Sequence, residues 1–172
     1  GIERMQNSGI EVTTGVLEKE SRKLNKRFFT FHEKKRPYII LKWAESQDGF
    51  IAPKNQTKAF WMTSRDSKKL VHKWRSEEDA ILVGRITAEK DNPSLTVREM
   101  EGKNPIRIVI DKDLKLSDDL NLFNNDAKTI IFNQLKTEEN NSTNYIKTEF
   151  NNLIENILEE LYKQNIQSII IE

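Results

Sequence analysis

Apolar residues along this chain recur in two rhythms, runs of four to seven and helical spacing. The clearest run is Ala80-Ile81-Leu82-Val83, closed by Gly84. A short run rich in branched residues and ended by glycine predicts a buried strand. Tyr38 to Ala44, Pro105 to Asp111, Lys128 to Phe132 and Gln167 to Glu172 read the same way, and Tyr145 to Lys147 suits a short strand. Helical spacing predicts helices over Val16 to Phe29, after Trp61-Met62-Thr63-Ser64, and from Asn151 or Asn152 through Gln164. Thr13 or Thr14 is the candidate cap of the first, Thr63 or Ser64 of the second. Leu70, Val71 and Trp74 form the inner stripe predicted for the second, and Leu153, Ile154, Ile157, Leu158 and Leu161 that of the third. Ser46 to Gly49 is a turn, His32 to Arg36 a polar connection, and Gln134 to Asn144 a solvated loop. Strands alternating with helices predict an α/β fold, three-layered, with a mostly parallel sheet and flanking helices.

At 172 residues the chain fits one domain, with at most a piece of another. The first residues read as that piece. Ile2 to Met5 suits the last turns of a helix and Gly9 to Val12 a strand, too little to bury an apolar side alone. The predicted division is 1–14 as a remnant of a preceding domain, 15–36 as a connecting helix and solvated linker, and 37–172 as the main domain.

The 28 basic residues nearly balance the 27 acidic ones, so charge makes no case for nucleic acid or a membrane surface. No apolar run is long enough to span a bilayer. The chain has no cysteine, which excludes disulfides and thiolate metal sites and fits a reducing cytosol. The two histidines, His32 and His72, are far apart in sequence, which argues against a metal cluster. Neither GxGxxG nor a Walker loop is present.

Ligands on parallel sheets bind past the carboxyl ends of the strands. Thr87, Asp91 and Arg98 follow the end of the central strand. Lys42 interrupts an apolar strand, so it is either a substrate contact or a stem snorkelling at a strand end. Trp61 is a cofactor wall or a core aromatic. Arg75, in the last turn of its helix, is explained structurally by the helix dipole.

Lys42-Trp43-Ala44-Glu45-Ser46-Gln47-Asp48-Gly49, Trp61-Met62-Thr63-Ser64, Trp74-Arg75, Ala80 to Gly84 and Thr87 to Arg98 occur in one order. Together they resemble the reductase domain of the bifunctional riboflavin-biosynthesis deaminase/reductase, over about Tyr38 to Glu172. Asp91-Asn92-Pro93-Ser94-Leu95-Thr96-Val97-Arg98 is the most specific segment. The resemblance implies a dihydrofolate-reductase-like fold and NADPH. It implies reduction of 5-amino-6-(5-phosphoribosylamino)uracil to the ribitylamino form by a cytoplasmic homodimer. Carried over by position, Ala44, Trp61, Thr87 and Asp91 border the cofactor, while Arg75, Leu95, Arg98 and Glu172 meet the substrate. Asp91 or Lys42 is the candidate proton donor. The resemblance also implies a fused deaminase domain ahead of this chain and a continuation beyond Glu172, so that the reductase domain is truncated here. Ala59 stands where the family often has serine. Two other readings stay open: a non-catalytic, self-associating fragment, and a dihydrofolate-reductase-like reductase of another pyrimidine or pterin.

Overall fold

The computed structural model describes residues 1–55, 62–140 and 142–172. Its elements run α1 (Ile2–Asn7), α2 (Glu18–Leu24), α3 (Lys26–Lys34), β1 (Tyr38–Leu41), α4 (Arg65–Glu77), β2 (Ala80–Gly84), α5 (Arg85–Asp91), β3 (Ile106–Ile110), β4 (Thr129–Asn133), β5 (Glu138–Glu139), β6 (Thr143–Lys147), α6 (Leu153–Lys163) and β7 (Ser168–Ile171). The strands form one sheet in the order β1-β7-β2-β3-β4-β6-β5, parallel throughout except where β5 meets β6. This is the expected α/β fold.

Alternation within each strand sends its side chains to two apolar layers. Ala80 and Leu82 face Ile108, Ile130, Phe132 and the α6 residues Ile157 and Leu161. Ile81 and Val83 face Val109, Ala88 of α5, Leu95 and Trp74 of α4. Phe31 of α3 lies on the α6 side, its ring 4.6 Å from that of Tyr162. Helices therefore cover both faces, and the chain crosses the sheet one way from β2 to β6 and returns from β6 to β7. Right-handed crossovers place the helices of opposite travel on opposite faces in this way.

Arg107 of β3 is fully buried on the α4 side. All five of its donors are used: Nε bonds Thr129 Oγ1, and the two Nη groups bond Asn124 Oδ1 and the carbonyls of Asn121, Asn124 and Ala127. It organises the turn-rich segment between β3 and β4. Burial lowers its pKa, partly offset by Asp126.

Several local expectations are corrected. Residues 10–15 form no strand, and Gly1–Glu11 are exposed. The predicted first helix is two, α2 and α3, broken at Asn25. It is entered through Leu17 in a left-handed conformation, with no side-chain cap from Thr13 or Thr14. Helix α3 continues to Lys34, through the stretch expected as a polar connection. Nor is it a solvated linker. Phe31 is buried, and the Arg27 guanidinium forks onto the carboxylate of Glu78, Nε to Oε2 at 2.7 Å and Nη2 to Oε1. β1 ends at Leu41 instead of Ala44. The loop expected over Gln134 to Asn144 contains β5 and the start of β6, because the chain doubles back to blunt the sheet edge. Ile154 is exposed, and Asn152 precedes α6 without a side-chain cap.

The Glu78 side chain is 1% exposed, so losing its partner strands a buried carboxylate. Arg27→Ala is expected to cost about 2–4 kcal/mol in urea unfolding. Arg22→Ala, which breaks an exposed pair with Glu33, is expected to cost under about 0.5 kcal/mol. Equal losses would show that the Glu78 pair contributes no more than a surface contact.

Candidate functional site

β7 lies between β1 and β2, and its register pairs Leu41 with Ile171 and Leu82 with Ile171. The residues following β1 and β7 therefore emerge side by side at the carboxyl edge. The Lys42 N–H bonds the Ile171 carbonyl at 2.9 Å, and the Glu172 N–H bonds the Leu82 carbonyl at 3.0 Å. The helix before β2 covers one face and the helix before β7 the other. This is the strand-order reversal at which such sheets open a crevice.

Ser64 caps α4, its hydroxyl accepting the Ser67 N–H, as expected. The inner face of α4 differs from the expected stripe. Leu70 is exposed and Val71 half-buried, whereas His72 and Arg75 are buried. Arg75 is not explained by the helix dipole alone. Its Nη2 reaches the Glu172 carboxylate at 3.1 Å, and Lys42 Nζ stands 3.6 Å from the same group. Two cations thus share one carboxylate, leaving a net positive cluster with the Arg75 side chain only 8% exposed. Arg75 Nε is buried with no hydrogen-bond partner among the described residues. A buried donor left unmade costs about 1–3 kcal/mol, so this guanidinium is not fully employed by the fold.

The segment after α5 passes beside α4. Asn92 is left-handed (φ 40°) and accepts two bonds from Asn121, at Oδ1 from its N–H and at the carbonyl from its Nδ2, each 2.8 Å. The Val97 N–H bonds Asn104 Oδ1 at 2.8 Å, and the Arg98 N–H bonds His72 Nδ1 at 3.3 Å. Leu95 is left-handed and 1% exposed, packed with Ile81, Val83 and Ala88. Its side chain belongs to the core, so only its main chain is open to a ligand. The Arg98 side chain is exposed. The structure brings Arg75, Lys42 and Glu172 together, while Arg98 reaches α4 only through its main-chain N–H on His72. Thr87 and Asp91 are half-buried on α5, and Ala44 is half-buried after β1. Trp61 and Ala59 lie outside the described residues. His72 is the residue the sequence reading missed. Its signal was its place one turn before Arg75.

Burial lowers the His72 pKa first, then Arg75, Arg98 and Lys68, against the opposing pull of Glu99. No group of three or more His, Cys, Asp or Glu suited to a metal occurs among the described residues. No described helix is long and apolar enough to cross a membrane.

A sequence model of the RibD C-terminal domain matches residues 37–172. The chain belongs to that family. Its relatives include the riboflavin biosynthesis protein RibD of Aquifex aeolicus, 38% identical over all of this chain and 50% of the relative. The RibD of Synechocystis is 33% identical over all of this chain and 48% of the relative. The chain thus spans about half the length of the curated relatives it matches. A Thermotoga maritima deaminase/5-amino-6-(5-phosphoribosylamino)uracil reductase superposes with TM-score 0.88 and 37% identity, over 99% of this chain and 48% of that one. Acinetobacter baumannii RibD, at 24% identity and TM-score 0.84, shares the fold. The family members carry the dihydrofolate-reductase-like architecture that the motifs implied.

A folded-state histidine pKa below the ordinary value means that the unfolded chain takes up this proton first. Stability should therefore fall as pH drops below about 6.5, and the loss should be complete below the folded value. His72→Asn should flatten that part of the profile. Thermal melts between neutral and mildly acid pH check this, and identical slopes for the two proteins would contradict it. Glu172→Gln removes the shared counter-charge and is expected to cost about 1–3 kcal/mol in the same assay.

Proposed function

We propose that residues 37–172 act as a reductase that uses NADPH to convert 5-amino-6-(5-phosphoribosylamino)uracil to its ribitylamino form in riboflavin biosynthesis. Membership of the RibD family supports the reaction class. The observation that carries the reading within this chain is the cluster of Arg75, Lys42 and Glu172 at the sheet's reversal point, net positive and with a buried guanidinium donor to spare. A guanidinium fork suits phosphate oxygens, and Arg75 and Arg98 are assigned to that end of the substrate. Leu95 contributes main chain, and Glu172 orients Arg75 and Lys42.

The residues present fit a nicotinamide cofactor. Gly84 ends β2 with nothing among the described residues within 4 Å of where a side chain would begin, so a flat ring can approach its main chain. Ala44, Trp61, Thr87 and Asp91 are assigned to border it. When bound, the cofactor supplies the hydride. The chain orients the substrate, excludes water and delivers a proton. Lys42 is one candidate donor, since its ammonium lies 3.6 Å from the Glu172 carboxylate at the carboxyl edge of the sheet, and Asp91 is the other. We further assign residues 1–14 to the end of a deaminase domain like that named in the Thermotoga relative, and 15–36 to the join. The parent protein is taken as a cytoplasmic homodimer.

Loss of NADPH absorbance with the phosphorylated substrate, and identification of the ribitylamino product, test the reaction. Turnover of only a different pyrimidine or pterin would overturn it. Arg75→Ala is expected to weaken binding of the phosphorylated substrate by about 2–5 kcal/mol while barely changing that of a dephosphorylated analogue. Equal loss for both would remove Arg75 from the phosphate end.

A further inference from the structure

We propose that His72 is a positioning residue, whose Nδ1 holds the main chain at Arg98 so that the Arg98 guanidinium stands beside Arg75 at the phosphate end of the site. The inference rests on the reading that both arginines meet a phosphorylated substrate.

Beyond the Asn92 N–H, which closes α5 on the Ala88 carbonyl, residues 92–98 lie in no helix or strand that would satisfy their main chain. Three side-chain clamps do so instead: Asn121 Nδ2 on the Asn92 carbonyl, Asn104 Oδ1 on the Val97 N–H, and His72 Nδ1 on the Arg98 N–H. The first two come from the chain between β3 and β4 and from the segment just before β3. Among the described residues, His72 is the clamp that comes from α4. It lies one helical turn before Arg75, so its bond to Arg98 ties the two arginines into one frame. It is also the last clamp before an exposed side chain, and so sets where that side chain begins. Leu95, buried in a left-handed conformation, shows how closely this segment is held.

A histidine can do this only while Nδ1 carries no proton. The groups facing it are Arg75 and Lys68 from α4, and Arg98 and Glu99 from the segment itself. Lys68 and Glu99 pair at 3.5 Å, bridging the same gap. Burial of the residue, 1% exposed, and three cations against one carboxylate all disfavour a charged imidazole. Protonation would turn the acceptor into a donor facing the Arg98 N–H and release the clamp. A histidine acting only through its charge would do the reverse, since an added positive charge would tighten phosphate binding in acid.

The test compares wild type, His72→Leu and His72→Asn, whose amide oxygen falls near the place of Nδ1. His72→Leu is expected to raise KM for the phosphorylated substrate about tenfold with kcat changed less than about twofold, and His72→Asn to restore most of it. In wild type KM should rise more steeply in acid than in His72→Asn. The substrate phosphate titrates equally in both, so it cancels in that comparison. Amide hydrogen exchange at Arg98 should speed up in His72→Leu and recover in His72→Asn, a readout that needs no turnover. Unchanged Arg98 exchange, or tighter substrate binding in acid, overturns the inference. If His72→Leu does not fold, the pH comparison of wild type with His72→Asn decides, and parallel profiles overturn it. Failure of wild type to reduce the substrate sinks the underlying reading, and exchange at Arg98 then decides the positioning role separately.

Discussion

The insertion of β7 between β1 and β2 is the constraint on which the site depends. Ser168 to Ile171 pair with Tyr38 to Leu41 on one side and Ala80 to Leu82 on the other. Both partners lie far away in the chain, so the loop-closure cost is high and is recovered only when the sheet is complete. The recovery comes from burial: Ile169 and Ile170 are each 1% exposed and face opposite apolar layers. The same insertion brings Lys42 and Glu172 together beneath Arg75. The charge cluster is thus a consequence of strand order.

Two buried arginines illustrate how a structural role differs from a binding one. Arg107 spends every donor on the protein, and its job is to hold one irregular segment. Arg75 spends one nitrogen on Glu172 and keeps Nε unused among the described residues. A fold gains little from burying a donor it does not use. Such an expense is understandable where a ligand completes the set. The shared carboxylate keeps the two cations apart until then, and holds their side chains at the crevice.

The segment from Asn92 to Arg98 is a loop held as firmly as an element of regular structure. It has two left-handed residues, Asn92, a type that tolerates this conformation, and Leu95, for which it is uncommon. They persist because the Asn121, Asn104 and His72 side chains and the core around Leu95 leave no alternative. A loop so fixed can present Arg98 reproducibly while its guanidinium stays in solvent.

The fold class was legible in the sequence because apolar runs such as Ala80 to Val83 must be buried on both sides, and only helices on both faces of a parallel sheet achieve that. The specific segment Asp91 to Arg98 pointed to the family, and with it to the arginines. The strand order was not legible. Nothing local to Ser168–Ile171 says that it lies between β1 and β2, since pairing energy depends on partners and not on the strand itself. Helix α3 was misread because its attachment rests on single residues, Phe31 and Arg27, in a segment whose composition is that of a solvated helix. The inner face of α4 was misread because hydrophobicity favours Leu70 and Val71, whereas the structure buries His72 and Arg75, whose partners come from distant strands and loops. By itself the sequence determined the core strands, the main helices between them and which chemistry lies among them. The tertiary structure decided which charges meet, because a buried charge is tolerated only beside a partner that the fold delivers.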